Sequence, residues 1–230
     1  GQTLYPAVGL PNPNNREETR AYIGEVVIVN KGLLDNSLRE YSTRCPNSKF
    51  FLAGYSQGAA IIRLSVNELS PTSDADILKK ILGIILIADP LLSPKDKRLA
   101  VGSNSRWTDP TASCGSLRLI VTFSPSCSFS KESAAANVIL KSLLKFWSLA
   151  GCIDYENACA NSVAVDVEIA KVVKLDSTSD ISTKSGIKDI VSVCYVGDVV
   201  CSPLGKRSKS DWVNTLISTP FEIHTKEYKK

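Results

Sequence analysis

Between residues 18 and 42 apolar positions recur near helical spacing. Tyr22, Val26, Val27, Val29, Leu33, Leu34, Leu38 and Tyr41 alternate with Arg and Glu, a period that predicts an amphipathic helix. Gly32 falls inside that stretch and weakens an unbroken helix. Cys45-Pro46-Asn47-Ser48 is a turn cluster. Phe50-Phe51-Leu52-Ala53 then forms a short run without a polar member, the mark of a buried strand. After Gly54-Tyr55-Ser56-Gln57-Gly58, the small and branched residues from Ala59 to Leu69 suit a helix lying close on a sheet, and Pro71 ends it. Ile81 to Ala88 is a second buried-strand run, closed by Asp89-Pro90. Strand, helix, strand, with runs apolar on both faces, predicts a parallel α/β sheet.

Beyond residue 91 the pattern loosens. Ser93 to Thr111, rich in Ser, Asp, Asn and Pro, reads as loop. Lys131 to Ala150 carries Val138, Ile139, Leu143, Leu144, Phe146 and Trp147 at helical spacing. This helix reads either as a lid or lipid-contacting element anchored by Phe146 and Trp147, or as one whose apolar face packs on the sheet. Val163, Val165, Val167 and Ile169 alternate like a strand, while Ala164, Val167, Ala170 and Lys171 fit a helix; both stay open. Ile190 to Tyr195 returns to a strand pattern, followed by a Gly197-Asp198 turn. With no internal repeat, a single α/β domain over residues 1–230 is expected.

Composition narrows the classes. The chain is 43% hydrophobic and 22% charged, which is globular rather than disordered. Its longest purely apolar run, Ile84 to Ala88, is far short of the roughly 20 residues that cross a bilayer, so no integral membrane span is expected. The net charge of +4 is spread along the chain. No basic stripe with interleaved aromatics marks a nucleic-acid surface. Methionine is absent, even at position 1, as expected of a processed product or a fragment, and no signal peptide is visible. Seven cysteines include no pair at two-residue spacing, and His224 is the single histidine. That argues against zinc and for disulfides, in a secreted or cell-surface chain.

Gly54-x-Ser56-x-Gly58 between an apolar strand and a helix has the form of a nucleophile elbow. The turn is so tight that its neighbours must be small. It projects the serine hydroxyl at the carboxyl end of the strand, by the amino terminus of a helix that favours an anion. A serine of ordinary pKa needs a base, and His224 is the one histidine on offer. Taken alone, His224 reads as a surface histidine near a frayed terminus. In the order serine, acid, histidine, the acid belongs on a loop after a late strand, where Asp198 stands; by itself Asp198 also fits an ordinary turn.

These residues carry a resemblance. Arg44-Cys45-Pro46-Asn47-Ser48-Lys49 followed by Gly54-Tyr55-Ser56-Gln57-Gly58-Ala59-Ala60 resembles the nucleophile segment of the cutinase family of serine esterases. Cys194-Tyr195-Val196-Gly197-Asp198-Val199-Val200-Cys201 looks like that family's disulfide-bracketed aspartate loop, and Ile223-His224-Thr225 like its histidine segment. Leu4-Tyr5-Pro6-Ala7 looks like a segment of the actinobacterial branch. The likeness covers residues 1–95 and 186–228. It implies a three-layer α/β/α, α/β-hydrolase-like fold with a central, mainly parallel sheet. It also implies Ser56 as nucleophile, Asp198 as orienting acid, His224 as base, the Gln57 N–H as an oxyanion donor, and a Cys194–Cys201 disulfide.

The departures from the family pattern are as specific. In the family a first strand and loop precede the Tyr-Pro-Ala region and supply the second oxyanion donor and the partner of the cysteine before the serine. The resemblance therefore implies that the first strand is lacking here and that Cys45 is unbridged, which accounts for the odd cysteine count. Residues 96–185, with Cys114, Cys127, Cys152 and Cys159, look like an insertion unmatched in the smaller cutinases. Few residues follow His224, where the family has a closing helix. The function implied is a carboxylic-ester hydrolase acting on aliphatic or lipid esters without metal or cofactor, with peripheral contact to lipid or cell envelope as a further expectation. The alternative is a cell-surface binding or interaction protein that keeps the fold with little or no turnover.

Overall fold

Seven residues with no charged or hydrogen-bonding side chain, Ile81–Ile87, form the middle strand β2 of a parallel sheet. The structure is a computed structural model and describes residues 16–24, 29–97, 115–118, 173, 175–195, 198 and 200–201. The chain enters through α1 (Arg16–Ile23) and α2 (Lys31–Arg44), then runs through β1 (Phe50–Tyr55), α3 (Gln57–Glu68) and the single turn α4 (Ala75–Leu78) into β2. Later come α5 (Thr178–Ser185) and β3 (Ile190–Val193). β2 pairs with β1 from Phe51↔Gly83 to Tyr55↔Ile87, after a register shift at Phe50, and with β3 from Ile84↔Ile190 to Ile87↔Val193. Both pairings are parallel, so all three strands deliver their carboxyl ends to one edge of the sheet. This bears out the α/β class.

The core explains why α3 is so poor in charged residues. On one side Ala59, Ile62 and Val66 pack with Leu52, Ile84, Leu86 and Ile190 of the sheet, joined by Leu38 of α2, Ile77 of α4 and Ile181 of α5. On the other, Ala60, Ile61 and Leu64 meet Tyr22 and Ile23 of α1 together with Leu91, Leu117 and Leu175. A helix buried all round has no solvent face to populate with charges; Arg63 is its one cation, and it is fully buried.

Three expectations need correction. Helical spacing over 18–42 corresponds to two helices, with wider π-type turns at residues 24 and 29–30; Gly32 lies within α2 without interrupting it. β1 and β2 are not buried on both faces. Phe51 is 62% exposed, Leu82 59% and Tyr55 40%, because the described helices pack on the opposite, Leu52–Ile84–Leu86 face. α4 and α5 were not anticipated. The helix expected over 131–150, the open segment 163–171 and most of the loop 93–111 lie outside the described residues. Among the described residues no helix is long and apolar enough to cross a membrane.

Candidate active site

Gly54 sits where the first turn of α3 folds back over the end of β1. A Cβ placed there would lie 2.5 Å from the Gly58 carbonyl oxygen and 2.7 Å from the Ala59 nitrogen, both main-chain atoms that cannot turn aside. Glycine at 54 is therefore a steric condition for the elbow. Ser56 follows with φ 54° and ψ −122°, a conformation that costs a side-chain-bearing residue of order 1–3 kcal/mol. The main chain holds it there. Ser56 N–H donates to the Ile87 carbonyl at 2.8 Å, and the Ser56 carbonyl accepts from Ala59 N–H at 3.0 Å as α3 begins.

Ala88, the residue after β2, also has positive φ, at 52°. Among the described residues it and Ser56 are the two non-glycine positions of that kind. The Tyr55↔Ile87 pairing places them side by side at the carboxyl ends of neighbouring strands. Backbone strain gathered at one edge of a sheet is a mark of a functional site.

Asp198 reaches the same edge after β3. It is fully buried. Its N–H donates to the Tyr195 carbonyl at 3.0 Å, and its Oδ1 accepts from the Val200 N–H at 2.8 Å. A Cys194–Cys201 disulfide closes the loop, with Cα atoms 5.8 Å apart. Both half-cystines pack in one cluster with Ala88 and Leu92, so the acid's loop rests on the turn after β2. Burial, and after it the Asp198 charge, push the Tyr55 phenol up to about 12. The carboxylate thus lies within electrostatic reach of the residue that precedes Ser56.

Gln57 opens α3. Its buried side-chain amide faces the Tyr22 hydroxyl at 3.4 Å, and its N–H is one of the first-turn donors that α3 itself cannot satisfy. His224 lies outside the described residues, as do Leu4-Tyr5-Pro6-Ala7 and residues 196, 197 and 199 of the acid's loop. The structure thus brings Ser56, Gln57 and Asp198 to one edge. Cys45 is an exposed, free cysteine. Among the described residues no group of three or more His, Cys, Asp or Glu side chains is placed to hold a metal ion.

Sequence reasoning missed a buried ionic cluster under this edge. Arg63 Nε donates to Asp89 Oδ2 at 2.6 Å, its Nη1 to Asp96 Oδ1 at 3.2 Å, and its Nη2 to Asp96 Oδ2. Burial alone would lower the Arg63 guanidinium, but the two carboxylates outweigh it and hold it above its ordinary value. Burial, with Asp96 adding to it, raises Asp89 against the pull of Arg63. The visible signal was an arginine among Ala, Ile and Leu in a helix with no other cation.

A parallel sheet with a serine on a strained strand-to-helix turn, and a buried acid on a neighbouring loop, is α/β-hydrolase-like in architecture. The sequence matches the family model described as Cutinase over residues 32–211, well over half of the chain, and the chain belongs to that family. The match includes Ser56, Gln57, Cys194, Asp198 and Cys201, runs across 96–185, and ends before His224. One relative is Cutinase CUT1 of Coprinopsis cinerea, 35% identical over 71 residues, or 31% of this chain. The chain spans about a third, 32%, of that relative's length.

Proposed function

We propose that the chain is a serine carboxylic-ester hydrolase acting on aliphatic or lipid esters outside the cell or at its surface. Ser56 Oγ attacks the acyl carbonyl while His224 accepts its proton, and Asp198 orients and charge-stabilises the imidazole. The tetrahedral oxyanion is met by the Gln57 N–H at the amino terminus of α3, where the helix dipole favours negative charge. His224 then protonates the leaving alkoxide. Water, deprotonated by the same histidine, attacks the acyl-enzyme and releases the acid.

The observation that carries this reading is the backbone of Ser56. A strained, non-glycine residue at a strand-to-helix junction, made possible by Gly54, presents a hydroxyl at the edge where a disulfide-closed loop buries Asp198. A fluorophosphonate probe tests it directly, since phosphonylation requires an activated serine. Labelling mapped to Ser56, and loss of p-nitrophenyl butyrate hydrolysis by about 10⁴-fold in Ser56→Ala, are the expected results. An unlabelled wild-type protein would instead point to a binding protein that keeps the fold without turnover.

A further inference from the structure

The Arg63 cluster is joined to Asp198 by a series of hydrogen bonds linked through short lengths of main chain. Arg63 Nε donates to Asp89, and the other oxygen of Asp89 accepts from the Leu91 N–H at 2.8 Å, fixing the turn after β2. From that turn the Pro90 carbonyl accepts from Arg118 N–H at 3.0 Å, and the Leu92 carbonyl from Gly115 N–H at 3.0 Å. The turn and the 115–118 segment meet so closely that a Cβ at Gly115 would lie 2.2 Å from the Pro90 oxygen. Ser116 N–H in turn donates to the Val200 carbonyl at 2.7 Å, and Val200 N–H donates to Asp198 Oδ1 at 2.8 Å. Arg63, Asp89, Leu91, Leu92, Ser116, Arg118, Val200 and Asp198 are all buried.

The second carboxylate braces the same assembly from below. Asp96 accepts from Ser93 N–H at 2.9 Å, from Thr178 N–H at the start of α5 at 2.8 Å, and from Ser192 Oγ of β3 at 3.4 Å. One guanidinium therefore ties the helix that begins at Ser56 to the exit of β2, the start of α5 and the strand leading to Asp198. Such a cluster is poorly explained by stability. Replacing buried ion pairs with well-packed neutral residues is often neutral or stabilising. What an apolar replacement lacks is direction: the planar fork of arginine accepts one arrangement of two carboxylates.

We propose that Arg63 is a positioning residue, setting the place of Asp198 relative to Ser56 through Asp89 and the 89–92 turn. The proposal rests on the reading of Ser56 and Asp198 as nucleophile and acid. Both ends of this series refer to α3. Ser56 is fixed by the first turn of that helix and Asp198 by its second, so the two move together and their separation is held.

The test is a charge-neutral triple variant, Arg63→Met with Asp89→Asn and Asp96→Asn, beside Arg63→Lys, which keeps a cation but loses the fork. Turnover of p-nitrophenyl butyrate is measured well below each variant's melting midpoint and normalised by fluorophosphonate active-site titration. Misplacement of about 1 Å costs on the order of 10²-fold. The triple variant is therefore expected to lose 10- to 100-fold in kcat, as an order of magnitude, with KM within about threefold, and Arg63→Lys to fall between it and wild type. A folded triple variant with wild-type kcat, or one altered in KM alone, overturns the proposal. If the triple variant does not fold, Arg63→Lys decides by the same numbers. A wild-type protein unlabelled at Ser56, with turnover surviving in Ser56→Ala, would instead overturn the catalytic reading and the proposal with it.

Discussion

Replacing Gly54 by alanine separates the architecture of the elbow from its chemistry, because no reacting group is touched. The added methyl would lie 2.5 Å from the Gly58 carbonyl oxygen and 2.6 Å from its carbon, where ordinary contact begins near 3.4 Å. The first turn of α3 must therefore withdraw from the end of β1 by about 1 Å. Overpacking of that kind costs roughly 1–3 kcal/mol. In a domain of this size each kcal/mol lowers the melting midpoint by about 2–4 °C, so a fall of roughly 2–12 °C is expected. The same displacement carries Ser56 with it, and on the proposed reading of Ser56 as nucleophile about 1 Å is worth about 10²-fold in rate. Differential scanning calorimetry and p-nitrophenyl butyrate kinetics read the two effects separately. Gly83→Ala is the control: its methyl would approach the Phe51 ring edge at 2.9 Å, but that ring is largely exposed and can turn away. A Gly54→Ala protein with the midpoint and kcat of wild type would refute the steric account of the elbow.

The remaining predictions concern titration. Tyr55 should ionise near pH 12 by ultraviolet difference titration, and Asp198→Asn should bring it only part of the way back to 10, because burial is the larger cause and the Asp198 charge the smaller. Since the folded pKa lies above the unfolded one, this phenol costs stability as the pH rises from about 10 towards 12. Asp74 is held below 3.8 by the Ser70 N–H and by Arg39, and Asp180 below 3.8 by the Ser177 hydroxyl and N–H. Their contribution is complete above that value and is lost as pH falls through the depressed pKa. Urea midpoints measured from pH 5 down to about pH 2 should drop, and Ser177→Ala should lower the unfolding free energy at pH 5 by about 1 kcal/mol while flattening the acid slope.

How much of this could be read along the chain depended on the range of the forces involved. The β1–elbow–α3 unit is local. An apolar run, two glycines and a small-residue helix lie within twenty positions, and the structure follows that reading closely, from Phe50 to Glu68. The Cys194–Cys201 bridge was legible by likeness rather than by pattern. α5 was missed although its signals are local: Ser177 and Asp180 form a reciprocal capping box, and Gly186 closes the helix in the left-handed conformation. Eight residues with Ile181 as the only strong hydrophobe gave the periodicity too little to work with. Arg63 stood out in the sequence, but its pairing was hidden for the opposite reason. Its partners are 26 and 33 residues away, and pairing across that distance leaves no trace in spacing. The exposed face of β1 could not be told from a buried one, since Phe51 is as apolar as Phe50.

At position 56, folding and the proposed chemistry ask for different residues. A backbone at φ 54° and ψ −122° is one that glycine adopts freely and serine only under strain. Relief of that strain favours glycine over serine at this site where stability alone is the measure. A descendant of this chain released from the need for a hydroxyl would shed that strain by losing it. Glycine in the place of Ser56, with the elbow otherwise intact, would then be the fossil of an abandoned reaction.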